Sequence, residues 1–241
     1  MNIAKLISIS LLLLTTNLIY SQQELSLEDI GEKITTQEAL DLYGYDEQLL
    51  AMMDEVSSNK LYILKETPVT RYAFNSDEDY ETFKSKNIVG LTIKTTKAKV
   101  DEMLKDLGTS NTNSQVYFKP LGMFRGGMLL IALNSNDLED ALKFEGFANS
   151  IFNMETKSFD PVSTEKLSKL LDEWKSKYDT QILSIGYDGL TLRINKVPDD
   201  RENFVDELNS ICPDAISQVY MSEARMWKSI ELQKMLSLWW D

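Results

Sequence analysis

Strand-length apolar runs come in adjacent pairs along this chain, with helix-length stretches between the pairs, and this alternation limits the fold more than any other feature. Residues 181–186 and 190–195 flank Tyr187-Asp188-Gly189, where Asp-Gly is a strong signal for a tight hairpin turn. Residues 115–119 and 128–133 form a second pair, joined by a connection that contains Gly122, Gly126 and Gly127. Residues 61–64 and 88–93 read as further strands from their β-branched and aliphatic content. Helical signals fill the gaps. Ser76 and Asp77 open a helix to about residue 86, and Thr95 or Thr96 opens another carrying Val100, Met103, Leu104 and Leu107. An acidic helix follows at 137–144, then an irregular Phe-rich stretch at 147–159. Val162-Ser163-Thr164-Glu165 opens the clearest helix of the chain, with Leu167, Leu170, Leu171 and Trp174 at helical spacing. A helix from Pro198 through Phe204, Leu208 and Ile211 stops at Cys212-Pro213, and one near residues 227–235 precedes the apolar end at Trp239-Trp240-Asp241. Paired hairpins interleaved with helices predict an α+β fold. Its sheet is expected to be largely antiparallel with helices packed on one face, rather than doubly wound.

The N-terminus reads as a leader. Lys5 precedes an apolar run, Leu6 to Leu14, which is too short to span a bilayer and is followed by Ser21-Gln22. Residues 1–22 are therefore expected to be a signal peptide, and the protein to be exported, periplasmic or secreted. No Cys lies near the expected cut for lipid attachment. Residues 23–59 follow as a helical extension, with a helix over Ile34 to Leu42 capped by Thr35 or Thr36 and a second carrying Leu49, Leu50, Met53 and Val56. Residues 60–241 then form a single α+β domain.

Composition narrows the chemistry. The chain of 241 residues has no histidine, which excludes every His-dependent triad, dyad and imidazole metal site. Cys212 is the one cysteine, so no internal disulfide can form and folding rests on core packing. The net charge of −13 argues against a nucleic-acid partner and against docking on anionic lipid. The glycines between 120 and 127 invite a phosphate-cradle reading, but no Lys-Ser/Thr ending follows and no helix opens there. No cofactor is implied.

Ser163-Thr164-Glu165 followed by Trp174, Ile185-Gly186-Tyr187-Asp188, Pro198 before a helix, Cys212-Pro213-Asp214 and the terminal Leu238-Trp239-Trp240-Asp241 together resemble the bacterial domain-of-unknown-function family 4253. The resemblance covers about residues 88–241 and is strongest from residue 162 onward. It implies a fold unit and no activity. Gly189 stands where the family pattern has a bulkier, often aromatic residue.

Candidate binding residues gather in those motifs. Neighbours on a strand point to opposite faces, so Trp239 and Trp240 either both find core or one of them offers an indole for binding. Asp241, with two carboxylates at one point, invites an Arg or a cation. Asp188, Asp214, Glu165 and Asp241 could converge, as paired acids do in glycoside hydrolysis or around a hard cation. Cys212-Pro213 reads as a helix stop, because a nucleophilic thiol needs a base or positive charge nearby. The expectation is a non-catalytic, exported binding or interaction protein with a protein partner, using one face of the C-terminal sheet; neither metal nor catalytic residues are expected. The rival is an Asp/Glu-dependent hydrolase with a cleft near Asp188, Asp214 and Asp241. A toxin-neutralising role is a third reading, resting on acidity alone. Oligomeric state is left open.

Overall fold

A computed structural model describes residues 27, 31–57, 60–64, 73–96, 99, 114–120, 128–147, 150–153, 158–186 and 188–240. The expected signal peptide, the Val100–Leu107 stripe, residues 121–127 and Asp241 lie outside the described residues.

The hairpin signals and the apolar runs give an eight-stranded sheet. In chain order its strands are β1 (Gly31–Ile34), β2 (Leu61–Leu64), β3 (Gly90–Thr95), β4 (Val116–Pro120), β5 (Met128–Leu133), β8 (Thr180–Ile185), β9 (Gly189–Ile194) and β10 (Met235–Trp239). Across the sheet they run β1-β2-β3-β5-β4-β8-β9-β10. Every pairing is antiparallel except β4 with β8, a parallel junction registered at Phe118↔Ser184. The fold is therefore α+β, as the alternation predicts. The stretch at 147–159 is not irregular: β6 (Ser150–Asn153) and β7 (Ser158–Pro161) form a separate two-stranded hairpin.

Helices start where short polar side chains can take up free backbone N–H groups. Thr35 and Glu38 form a reciprocal capping box for α1 (Thr36–Tyr43), and Gly44 ends it at φ 69°, a left-handed value that glycine adopts without strain. α2 (Glu47–Ser57) follows. Ser76, Asp137, Ser163 and Asp200 cap α3 (Asp77–Ser85), α4 (Leu138–Phe144), α5 (Thr164–Tyr178) and α6 (Arg201–Ile211). After α6 the chain makes a π-helical segment (Ala215–Tyr220), α7 (Glu223–Lys228) and a second π-helical segment (Ser229–Gln233) before entering β10.

The expectation of helices on one face is corrected by the packing. One face is covered by α3 to α7, in a core containing Trp174, Phe204, Phe147, Trp227, Leu190, Leu192, Leu236, Leu238 and Trp240. On the other face a second core joins Ala39, Tyr45, Leu49, Leu50 and Met53 to Leu61, Leu91, Ile93, Phe118, Leu130 and Ala132. The segment 31–57 thus docks on the sheet rather than trailing from it, adding β1 at one edge and α1–α2 above β2 and β3. Tyr45 pins it, its hydroxyl lying 2.8 Å from the Val89 carbonyl and 3.0 Å from that of Ala132. Strand residues 129–133 alternate between two apolar layers, which explains their continuous apolar character, while in 90–95 only Leu91 and Ile93 enter a core. The sequence pattern could not reveal which layer each helix joins, because a strand buried on both faces shows no period of two.

Candidate functional site at the C-terminal sheet

β8, β9 and β10 keep the alternation that the central strands lose. Leu190, Leu192, Ile194, Leu236, Leu238 and Trp240 enter the core beneath, so Gly189, Thr191, Arg193, Met235, Ser237 and Trp239 lie on the opposite face. Among the described residues, α1 and α2 are the helices packed on that face, in a core that takes in residues of β2, β3, β4 and β5. Leu183 of β8 still packs against that second core, whereas the residues of β9 and β10 on this face are half-buried to exposed.

The two terminal tryptophans meet opposite fates. Trp240 is 2% exposed; its ring packs edge-on against Phe147 with centroids 5.0 Å apart, and its Nε1 donates to the Ile211 carbonyl at 2.7 Å. Trp239 is half-buried on the open face beside Gly189, its cross-strand partner. A Cβ at Gly189 would come within 4.0 Å of the indole. That is ordinary van der Waals contact, so the indole lies beside the Gly189 backbone without needing a glycine there. Its Nε1 donates to the Asp188 carboxylate at 3.3 Å, and Asp188 in turn accepts the Trp240 backbone N–H through its carbonyl at 3.0 Å. Trp174, Trp227 and Trp240 are buried, so Trp239 is the one tryptophan of four with an accessible ring.

Cys212 is the other half of this corner. Its thiol donates to the Trp239 carbonyl at 3.1 Å, and burial pushes it up to about 12, so it stays protonated at neutral pH. That bond belongs to a set. Residues 235, 237 and 239 sit at positions of β10 that do not hydrogen-bond to β9, so their backbone groups point outward along the sheet edge. The Ser229 hydroxyl donates to the Met235 carbonyl at 3.0 Å, and the Tyr220 hydroxyl accepts from the Ser237 N–H at 2.6 Å. Cys212, Tyr220 and Ser229 thus occupy groups that an added strand would otherwise use. The order Cys-Pro … Trp-Trp, distinctive in the sequence, is in physical terms a thiol clasp on the last strand.

Of the expected site residues, Trp239, Trp240 and Asp188 come together with Cys212. Asp214 stands two residues beyond that thiol, and its side chain makes no cap bond at the start of the following π-helical segment. Glu165 is elsewhere, exposed in the first turn of α5 and bonded to Lys169 at 2.5 Å, which holds its carboxyl below the usual range. Among the described residues no group of three or more Cys, Asp or Glu side chains is placed to hold a metal ion, and no helix is long and apolar enough to cross a membrane.

Sequence reasoning missed a dense ion network around α4. Asp140 bonds Lys86 at 2.6 Å and the Ser135 hydroxyl at 2.7 Å; Lys143 bonds Asp79 at 2.5 Å and Glu139 at 2.8 Å. Glu145, with a side chain 1% exposed, takes a 2.7 Å bond from the buried Tyr117 hydroxyl and pairs with Lys119. Every member has a partner, and partnership holds Lys86 and Lys143 above, and Asp79 below, their ordinary values against the opposing effect of burial.

No curated protein and no solved structure matches the chain. Residues 148–241, which carry the hairpin, the Cys212 clasp and the last strand, match the family described as Domain of unknown function (DUF4253), and this C-terminal part of the chain is the extent of that relationship.

Proposed function

We propose that this protein is a non-catalytic binding protein whose contact surface is the open face of β9 and β10. The observation that carries the reading is Trp239: a half-exposed indole on a sheet face that, among the described residues, no helix covers at β9 and β10, in a chain whose other tryptophans are buried. The composition of the face supports it. Interface centres are rich in aromatic residues, Met and Arg and poor in acids and Lys, and this face presents Trp239, Met235 and Arg193 with no Lys, Asp or Glu on its strand positions. The carboxylates invoked for hydrolysis supply no comparable support, since Glu165 is committed to Lys169 and Asp188 to the Trp239 indole. The basic, apolar and small-residue order of residues 1–22 supports action outside the cytoplasm, which N-terminal sequencing of the cell-derived protein tests by finding a start near residue 23, or refutes by finding Met1.

Acrylamide quenching tests the surface directly. Trp239→Phe is expected to remove most of the quenchable tryptophan fluorescence while leaving the melting temperature nearly unchanged. A quenching constant equal to that of the wild type would show that Trp239 is covered and would overturn the reading. In a thermal-shift screen against peptides, sugars, nucleotides and metal ions, a true ligand raises the melting temperature of the wild type, protects it from acrylamide and loses both effects in Trp239→Ala. A ligand whose shift survives that substitution places the binding site elsewhere.

A further inference from the structure

We infer that the outer edge of the C-terminal sheet, where α7, the second π-helical segment and β10 run together, docks an acidic and apolar peptide segment of a partner protein. This edge adjoins the proposed contact face at Met235 and Arg193, and its role rests on the protein being the binding protein proposed there.

Among the described residues, exposed large apolar side chains gather at this edge. They are Leu42 on α1 and then Val219, Met221, Leu232 and Met235, all within residues 219–235. Single exposed apolar residues are ordinary on a protein surface, whereas a group of them marks a contact site. Local bonds tie the group to the edge strand. The Arg225 guanidinium lies 3.4 Å from the Met221 sulfur, and Arg225, Ser229 and Leu232 follow at helical spacing, on one side of the helix. Ser229 bonds the Met235 carbonyl, and Tyr220, next to Val219 in the chain, bonds the Ser237 N–H.

The backbone supports a use for these side chains. Met221 stands at φ 61° and Lys234 at φ 56°, each ending a π-helical segment in the left-handed conformation. Glycine takes that conformation without strain, and a longer side chain does not. Met221 is nevertheless 72% exposed, so packing within the chain offsets little of the strain. A contact outside the chain accounts for a side chain kept at that position.

Charge points to the occupant. Arg193, cross-strand from Met235, and Arg225, Lys228 and Lys234 stand around these side chains, and none of them enters an ion pair among the described residues. Within residues 219–235 the acids are Glu223 and Glu231, and Glu231 is taken by Arg201. In a chain of net charge −13 this is a local reversal of sign around an apolar group. A segment that carries carboxylates beside apolar side chains complements both features. A slim segment also meets the patch alone, because fields reach only ~8 Å at physiological salt. An anionic bilayer or a nucleic acid would face the acidic remainder of the molecule as well. The outward backbone groups of β10 are occupied by Cys212, Tyr220 and Ser229, so side chains rather than strand addition hold the segment.

Selection of displayed random peptides on the purified protein is expected to enrich sequences that place Asp or Glu beside Leu, Ile or Phe. A synthetic copy of the most enriched sequence is then the probe, and its affinity falls as salt rises. Arg225→Glu combined with Lys228→Glu is expected to raise its dissociation constant about tenfold or more, by setting like charges against each other. Leu232→Ser is expected to raise it about tenfold, through lost apolar burial. Met221→Gly gives the readout that a merely structural role would not: binding weakens while the melting temperature holds or rises, because glycine relieves the left-handed strain. No enrichment, enrichment of basic peptides, or binding unmoved by these variants overturns the inference. Co-sedimentation of the protein with phosphatidylglycerol vesicles when the peptides fail would assign the edge to a membrane and equally overturn it. Trp239→Ala separates the edge from the face. Peptides that bind this variant as they bind the wild type, and lose affinity in Leu232→Ser, leave the edge standing and remove the indole from the contact. Peptides lost with Trp239→Ala but kept by the edge variants do the reverse.

Discussion

Trp240→Ala is expected to destabilise the protein by about 3–5 kcal/mol, the loss typical of a large aromatic removed from a core that cannot fully collapse, while Trp239→Ala one residue earlier costs no more than about 1 kcal/mol, the scale of a cross-strand pair. The difference follows from the alternation of one strand. Trp240 fills the core against Phe147, and its Nε1 is the partner of the Ile211 carbonyl. Truncation leaves a cavity and a buried acceptor without its donor, two costs that add. Trp239 forfeits only a half-exposed contact over Gly189 and a 3.3 Å bond to an exposed carboxylate. Urea unfolding of the two variants measures the contrast. Equal losses would mean that both rings are core, and the open face would then have no exposed indole to offer.

That contrast also marks how far the sequence could be read. The period of two along 235–240 predicts that the tryptophans point apart, but not which of them finds cover, because cover comes from α6 and Phe147, distant in the chain. Local signals did better. The helix cap at Thr35, one of the two threonines offered, the helix opening at Ser163-Thr164 and the hairpin at Asp188-Gly189 are as the residues predict, since each is decided within a few positions. β1 gives no strand signal within the extension 23–59 expected to be helical, because Gly-Glu-Lys-Ile has one β-branched residue and is ordered by pairing with β2. In the candidate site, Asp188, Trp239 and Trp240 were legible as motifs. The role of Cys212 was not, because a thiol-to-carbonyl bond across 27 residues leaves no periodic trace. Arg193 was missed for the opposite reason: a lone arginine in a strand looks ordinary until its lack of an ion-pair partner among the described residues is seen.

Lys143→Met is expected to cost about 2–4 kcal/mol, toward the lower side of the losses seen when one member of a buried pair is removed. Lys143 is 8% exposed and holds Asp79 and Glu139, whose side chains are 23% and 25% exposed. Methionine keeps most of the stem volume over the Phe74 ring, whose centroid lies 5.6 Å from the ammonium, so packing contributes little and the loss is the stranding of two carboxylates that water reaches only partly. The pH dependence separates charge from packing. Burial pushes Asp79 up, but the Lys143 hydrogen bond and charge, with the Asn75 backbone N–H, outweigh it and leave the carboxyl below its ordinary value. A depressed carboxyl contributes stability above its unfolded pKa of about 3.9 and loses it as pH falls through the native value. Lys143 itself is raised, burial notwithstanding, by Asp79 and Glu139, so its contribution is complete below about 10.5 and is lost as pH rises through the native value. The gap between wild type and variant is therefore a plateau from about pH 5 to about pH 10, shrinking at both ends. With no histidine in the chain, no side chain of ordinary pKa disturbs that plateau between about pH 5 and pH 8. Urea midpoints of both proteins at pH 3, 7 and 9 are the check. A gap that stays constant down to pH 3 would assign the loss to packing alone, and one below about 1 kcal/mol at pH 7 would put this pair in the class of surface ion pairs.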